Sequence, residues 1–177
     1  MLVSVIITTF NRGNMLRRAI KSVLSQTLND FELLILDNSS TDNTRDVIHE
    51  FHDKRIIHVV HKPMTIALAR NLGVKEAKGD FLGFLDDDDE WLPEKLKSQI
   101  EVFKSGSIDL GLVYGGYEIV TDIPNGFKLD QKIIPTERGW VFDYMLRNRN
   151  GLTGAASVPL IKKECFKKVG LYETSLK

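Results

Sequence analysis

"FLGFLDDDDEWLPEKL", residues 81–96, is the stretch that decides the fold. Its first five residues are apolar and read as a buried strand. Pro93 stands where a first-turn proline belongs, so a helix is expected from there to about Lys104. Four consecutive aspartates, Asp86–Asp89, lie between strand and helix, and like charges packed this closely repel one another. The stretch is a strand, an acidic break and a helix.

The same unit repeats toward the N-terminus. Leu2–Thr9 is almost continuously apolar and β-branched, the signature of a buried parallel strand. Leu16, Ala19, Ile20, Val23 and Leu24 then fall on one face of a helix between Met15 and Ser25. Phe31–Leu36 is a second strand, followed by "DNSSTDN" and a helix from about Thr41 to Phe51. Ile56–Val60 is a third strand. A helix follows from about Ile66 to Ala77, closed by the glycine of "KGD". Four strand–helix alternations with short connections imply a parallel sheet with helices on both faces. No Gly-x-Gly-x-x-Gly follows the first strand, which argues against a dinucleotide-binding Rossmann domain.

Beyond Ser105 the pattern changes. "LGLVYGGYEIV" reads as a strand with a glycine break, "TDIPNG" as a turn and Phe127–Ile134 as an antiparallel return. "GWVFDYMLRN" has the pattern of a short amphipathic helix. "AASVPLI" is a short strand, and "KKECFKKVG" a last helix stopped by Gly170. With no internal repeat and no linker, residues 1–177 read as one domain.

Composition bounds the rest. A chain of 177 residues, 42% hydrophobic and 27% charged, can bury a real core. Lys+Arg and Asp+Glu are equal at 24 each, so nothing global points to nucleic acid or an anionic surface. The single cysteine, Cys165, excludes an internal disulfide and reads as a small core residue. No run approaches a spanning helix and no signal peptide is evident. The expectation is a cytoplasmic protein, with peripheral membrane association left open.

In an open parallel sheet, ligands bind beyond the carboxyl ends of the strands. "TTFNR", "DNSSTD" and "DDDDE" all stand at such ends. Carboxylates that share a site stay ionised only beside a cation, and all-oxygen donors suit a hard ion such as Mg²⁺ or Mn²⁺. A site of that kind uses one or two carboxylates together with substrate phosphate oxygens. Helix capping, worth about 0.3–1 kcal/mol per acidic residue, accounts for one or two of the four aspartates. Turn chemistry explains Ser39–Asp42, whereas Asp37 and Asn38 at the strand end can hold a nucleobase and ribose. Arg70 reads equally as an exposed ion-pair residue or as a nucleotide contact. His49, His52, His58 and His61 show no metal spacing and read as surface or packing residues.

The blocks "VSVIITTFNR", "SVLSQTLNDFELLILDNSSTDNT", "ALARNLGVKEAKGDFLGFLDDDDEWLPEKL" and "IKKECFKKVGLYE" resemble, in order, those of the family 2 glycosyltransferases. The resemblance implies the GT-A fold, a Rossmann-like nucleotide-binding α/β domain with a small antiparallel addition. It implies metal-dependent transfer of a sugar, usually with inversion, from a nucleoside-diphosphate donor to an acceptor hydroxyl. Thr8 and Thr9 match positions of the nucleotide pocket. Asp37 and Asn38 match an acidic pair for base and ribose, with Asn38 departing from the aspartate of many relatives. Arg70 matches an arginine near the nucleotide. Asp86 and Asp87 match positions near ribose and diphosphate, Asp88 the main metal ligand and Asp89 a secondary contributor. The family's general base lies beyond the segment that "GLYETSLK" matches, so it is expected past Lys177, and Glu173 does not take its place. The chain is thus expected to hold the donor side and to lack much of the acceptor side. Polysaccharide, glycolipid and protein acceptors all stay open, with cell-surface polysaccharide synthesis the expected setting. Two rival readings are a non-catalytic nucleotide-sugar-binding module and a sugar nucleotidyltransferase; for the second, "TTFNRGN" is a poor version of the glycine-rich loop required.

Overall fold

The computed structural model describes residues 2–106, 109–139 and 156–175. Four βα units come first: β1 (Val3–Thr9), α1 (Gly13–Leu24), β2 (Phe31–Asp37), α2 (Thr44–His49), β3 (Ile56–Val60), α3 (Ile66–Glu76), β4 (Phe81–Asp86) and α4 (Lys95–Ser105). Then come β5 (Leu112–Val113), the hairpin β6 (Tyr117–Ile123) and β7 (Gly126–Ile133), and finally β8 (Leu160–Lys162) and α5 (Lys163–Val169). The helix expected over "GWVFDYMLRN" lies outside the described residues.

The main sheet runs β3-β2-β1-β4-β8-β5. β1, β2, β3 and β4 are mutually parallel, whereas β8 is antiparallel to both β4 and β5. The chain steps outward from β1 to β3 and then returns to the other side of β1 as β4. That reversal opens a crevice at the carboxyl ends of β1 and β4, where Thr8 is in register with Asp86.

Side-chain alternation builds a core on each face of the sheet. Val3, Val5 and Ile7 of β1 pack with Leu16, Ile20 and Val23 of α1, Ile48 of α2 and Leu96 and Ile100 of α4. On the other face Ile6 meets Leu34, Leu36, Phe84 and Val74 of α3, with Phe166 of α5 against them. The α/β, mostly parallel architecture with helices on both faces is therefore as expected, and so is the antiparallel hairpin. Among the described residues no helix is long and apolar enough to cross a membrane.

Three local expectations are corrected. The second helix begins at Thr44 rather than Thr41, because Asn11 Oδ1 accepts from the amides of Thr41 (2.7 Å) and Asp42 (3.3 Å), holding them in a loop. Pro93 lies two residues before α4, not in its first turn, and its carbonyl accepts from Thr27 N at 2.9 Å. Gly79 is not a left-handed helix cap: it is absent from the positive-φ glycines. It is glycine because a Cβ there would stand 2.7 Å from both Leu2 O and Ser4 N of β1.

Candidate functional site

At the switch point lies a cleft of about 380 Å³, floored by Thr8 and Thr9 and walled by Asp86, Asp87 and Asp88. Asn38, Phe10, Met64, Ile66 and Ala69 line the rest, together with Arg12. The sheet thus brings together residues that lie far apart in sequence, because β1 and β4 are neighbours.

The four aspartates have four different environments. Asp86 accepts from Arg70 Nη2 at 2.7 Å. Asp87 is buried and accepts from Thr9 Oγ1 at 2.7 Å and from Arg12 Nη1 at 3.0 Å. Burial pushes its pKa up, while Thr9 and Arg12 pull it back. Asp88 is half-exposed and accepts from the same Arg12 Nη1 at 3.0 Å. Asp89 points away from the cleft, onto Ser157 Oγ at 2.5 Å. Its pKa is raised by burial first and then by its acidic neighbours, against the pull of the Ser157 hydroxyl.

Ser157 organises this loop from the far half of the chain. Its hydroxyl accepts from Asp86 N at 3.0 Å, and its carbonyl accepts from Trp91 Nε1 at 2.7 Å. The repulsion read from the sequence is met here from within, by Arg12 and Arg70 and by the Thr9 and Ser157 hydroxyls.

The strand-end pair of β2 divides its work. Asp37 is buried behind the cleft, where Oδ1 accepts from Ser40 N at 2.8 Å and Oδ2 lies 3.4 Å from His58 Nε2. Asn38 faces the cleft. Its side chain accepts from Met64 N (2.9 Å) and donates to Met64 O (3.3 Å), fixing the loop before α3. Of the expected site residues, Thr8, Thr9, Asn38, Asp86, Asp87 and Asp88 line the cleft; Asp37 and Arg70 support it from behind. Glu173 lies outside it, accepting from Ser175 N at 2.8 Å.

Sequence reasoning passed over Arg12, His58, Ser157 and the apolar rim. Arg12 stands at the end of "TTFNR", three residues past β1, but its acidic partners lie about 75 residues away in sequence. His58 is more than a packing residue, since its ring reaches Asp37. Ser157 carried no signal, because its partners are about seventy residues away in sequence.

Among the described residues, no group of three or more His, Cys, Asp or Glu side chains is gathered as a metal cage. The donors at the cleft are carboxylate oxygens, and the Arg12 guanidinium occupies the place of a cation between Asp87 and Asp88. This set fits a hard divalent ion that takes its remaining ligands from phosphate oxygens and water.

The family model "Glycosyl transferase family 2" matches residues 4–168. UDP-Glc:alpha-D-GlcNAc-diphosphoundecaprenol beta-1,3-glucosyltransferase WfgD of Escherichia coli is 40% identical over 135 residues, covering 75% of this chain and 53% of WfgD. The putative teichuronic acid biosynthesis glycosyltransferase TuaG of Bacillus subtilis is 34% identical over 151 residues, covering 83% and 58%. Among solved structures, mannosyltransferase PcManGT from Pyrobaculum calidifontis, in complex with GDP-Man and Mn²⁺, superposes with a TM-score of 0.70 at 18% identity, over 98% of this chain and 48% of that one. S. aureus TarS 1-349 superposes at 0.72 with 21% identity, over 100% and 52%. These likenesses establish the fold, which is the Rossmann-like GT-A arrangement. The chain spans about half the length of the curated relatives it matches.

Proposed function

The chain belongs to glycosyl transferase family 2, and from that premise we propose that it is the donor-binding domain of a metal-dependent glycosyltransferase. It takes a nucleoside-diphosphate sugar into the cleft between β1 and β4, for transfer of the sugar to an acceptor hydroxyl. One observation carries the reading: Thr9, Arg12, Asp87 and Asp88 form a connected polar set at the carboxyl ends of the two switch-point strands.

Thr8, Asn38 and the apolar rim of Phe10, Met64 and Ile66 make the base and ribose end. Asp37 and Arg70 act from behind, Asp37 by shaping the loop at Ser40 and Arg70 by orienting Asp86. Asp86 and Asp87 face the ribose and diphosphate. Asp88 is the protein's ligand to Mg²⁺ or Mn²⁺, and the ion would supply Lewis-acid stabilisation of the leaving diphosphate. Residues 1–177 serve as one nucleotide-sugar-binding domain.

The names of the relatives support a lipid-linked or polysaccharide acceptor, since WfgD is named for a diphosphoundecaprenol substrate and TuaG for teichuronic acid. The reading puts the protein in the cytoplasm, peripheral to the membrane that would hold such an acceptor.

A thermal-shift screen with UDP, GDP and dTDP, with Mn²⁺ or with EDTA, tests the proposal. A ligand bound only by the native state must stabilise it. At least one nucleotide should raise the Tm with Mn²⁺ and lose most of that effect in EDTA; no shift with any of the three contradicts the reading.

A further inference from the structure

We propose that Arg12 is the resident counter-ion of this cleft: it holds Asp88 until a divalent cation takes that carboxylate, and the released guanidinium then grips the diphosphate. The inference rests on the donor-binding reading above and adds a residue to it.

Arg12 occupies the N-cap position of α1 but makes no side-chain cap bond, so its side chain has no part in starting the helix. It reaches across the cleft to the β4 loop instead. Its two contacts there are unequal. The Asp87 carboxylate is sheltered, 7% exposed and also held by Thr9. The Asp88 carboxylate is 49% exposed and faces an arginine side chain that is 51% exposed. An ion pair in solvent is held by little and exchanges readily. Asp88 Oδ2 is the very atom that Arg12 Nη1 touches. A divalent cation on that oxygen would stand within a few ångströms of the guanidinium, and the two positive charges would repel.

Arg12 is also equipped for the second state. Among the described residues, both of its side-chain hydrogen bonds pass through Nη1. Nε and Nη2 make up a planar fork, the geometry that makes arginine a bidentate phosphate ligand. The bond to Asp87 is the pivot: it keeps the side chain over the cleft while the bond to Asp88 is exchanged.

Two binding measurements test this, with wild type, Arg12→Gln and Arg12→Met, all checked for native circular dichroism. Mn²⁺ alone is titrated and free ion is read by electron paramagnetic resonance. UDP, GDP and dTDP are then titrated calorimetrically at saturating Mn²⁺. With the competitor removed, both variants should bind Mn²⁺ about fivefold more tightly than wild type. With the phosphate grip removed, both should bind the preferred nucleotide about tenfold more weakly. Variants that bind Mn²⁺ no more tightly than wild type, or bind nucleotide as well as it does, overturn the role of Arg12 while wild-type binding leaves the donor reading intact. Failure of the wild type itself to bind any of the three nucleotides overturns both. If one variant misfolds, the other is judged by the same readings.

Discussion

Arg70 Nη2 donates to Asp86 Oδ1 across 2.7 Å, and the same guanidinium stands 6.0 Å from the ring centroid of Tyr172. A helix that precedes β4 thereby fixes the first of the four aspartates, and the segment after α5 backs that helix. Arg70→Ala strands a partly buried carboxylate. Urea denaturation should show a loss of about 1–2 kcal/mol, with Arg70→Lys closer to wild type. An unchanged midpoint in Arg70→Ala would mean that Asp86 does not depend on this contact.

Asp89 gives a pH signature. Its folded pKa is raised above 3.8, burial being the largest cause, so the native state binds more protons than the unfolded state above that pH. Its ionisation therefore costs stability as the pH rises through the folded value. In EDTA, Asp89→Asn should be more stable than wild type at pH 7, and the gain should shrink toward pH 4. A gain that stays constant, or grows on acidification, contradicts the assigned environment.

Lys95 titrates at the other end of the range. Its ammonium sits 3.7 Å over the Trp91 ring with no hydrogen-bond partner among the described residues, and burial lowers its pKa from 10.5 to about 7. Between those values the unfolded state binds more protons, so this residue makes stability rise with pH. Lys95→Met should exceed wild type in stability at pH 7, and the difference should narrow as the pH is raised to 9.5. Parallel stability curves would refute a buried ammonium.

Gly79 separates two reasons for a glycine. A left-handed cap would tolerate asparagine. A close backbone approach tolerates no side chain, and a Cβ here meets Leu2 O and Ser4 N at 2.7 Å. Gly79→Ala and Gly79→Asn should both cost about 2 kcal/mol or more. Recovery of stability by asparagine alone would restore the cap reading.

The βα alternation was legible because each strand is a short apolar run and each helix carries one apolar face, signals local to a few residues. The strand ends, and with them Thr8, Thr9, Asp37, Asn38 and the aspartates, followed from the rule that a parallel sheet binds at its carboxyl edge. What escaped depends on long-range placement. Ser157 reaches Asp86 and Asp89 only because β8 is inserted beside β4, and no local pattern encodes that insertion. The shortened α2 depends on Asn11, thirty residues upstream in another loop. Arg12 was in plain view, but only the pairing of β1 with β4 sets it against Asp87 and Asp88.

The central claim is a nucleotide site completed by a cation at Asp88. Calorimetric titration of UDP and GDP into wild type and Asp88→Ala, each in Mn²⁺ and in EDTA, tests it most directly. The account predicts binding of one nucleotide to wild type that weakens at least tenfold in EDTA, and weak binding to Asp88→Ala that EDTA does not change. Binding to Asp88→Ala that is as tight and as metal-dependent as in wild type would contradict it.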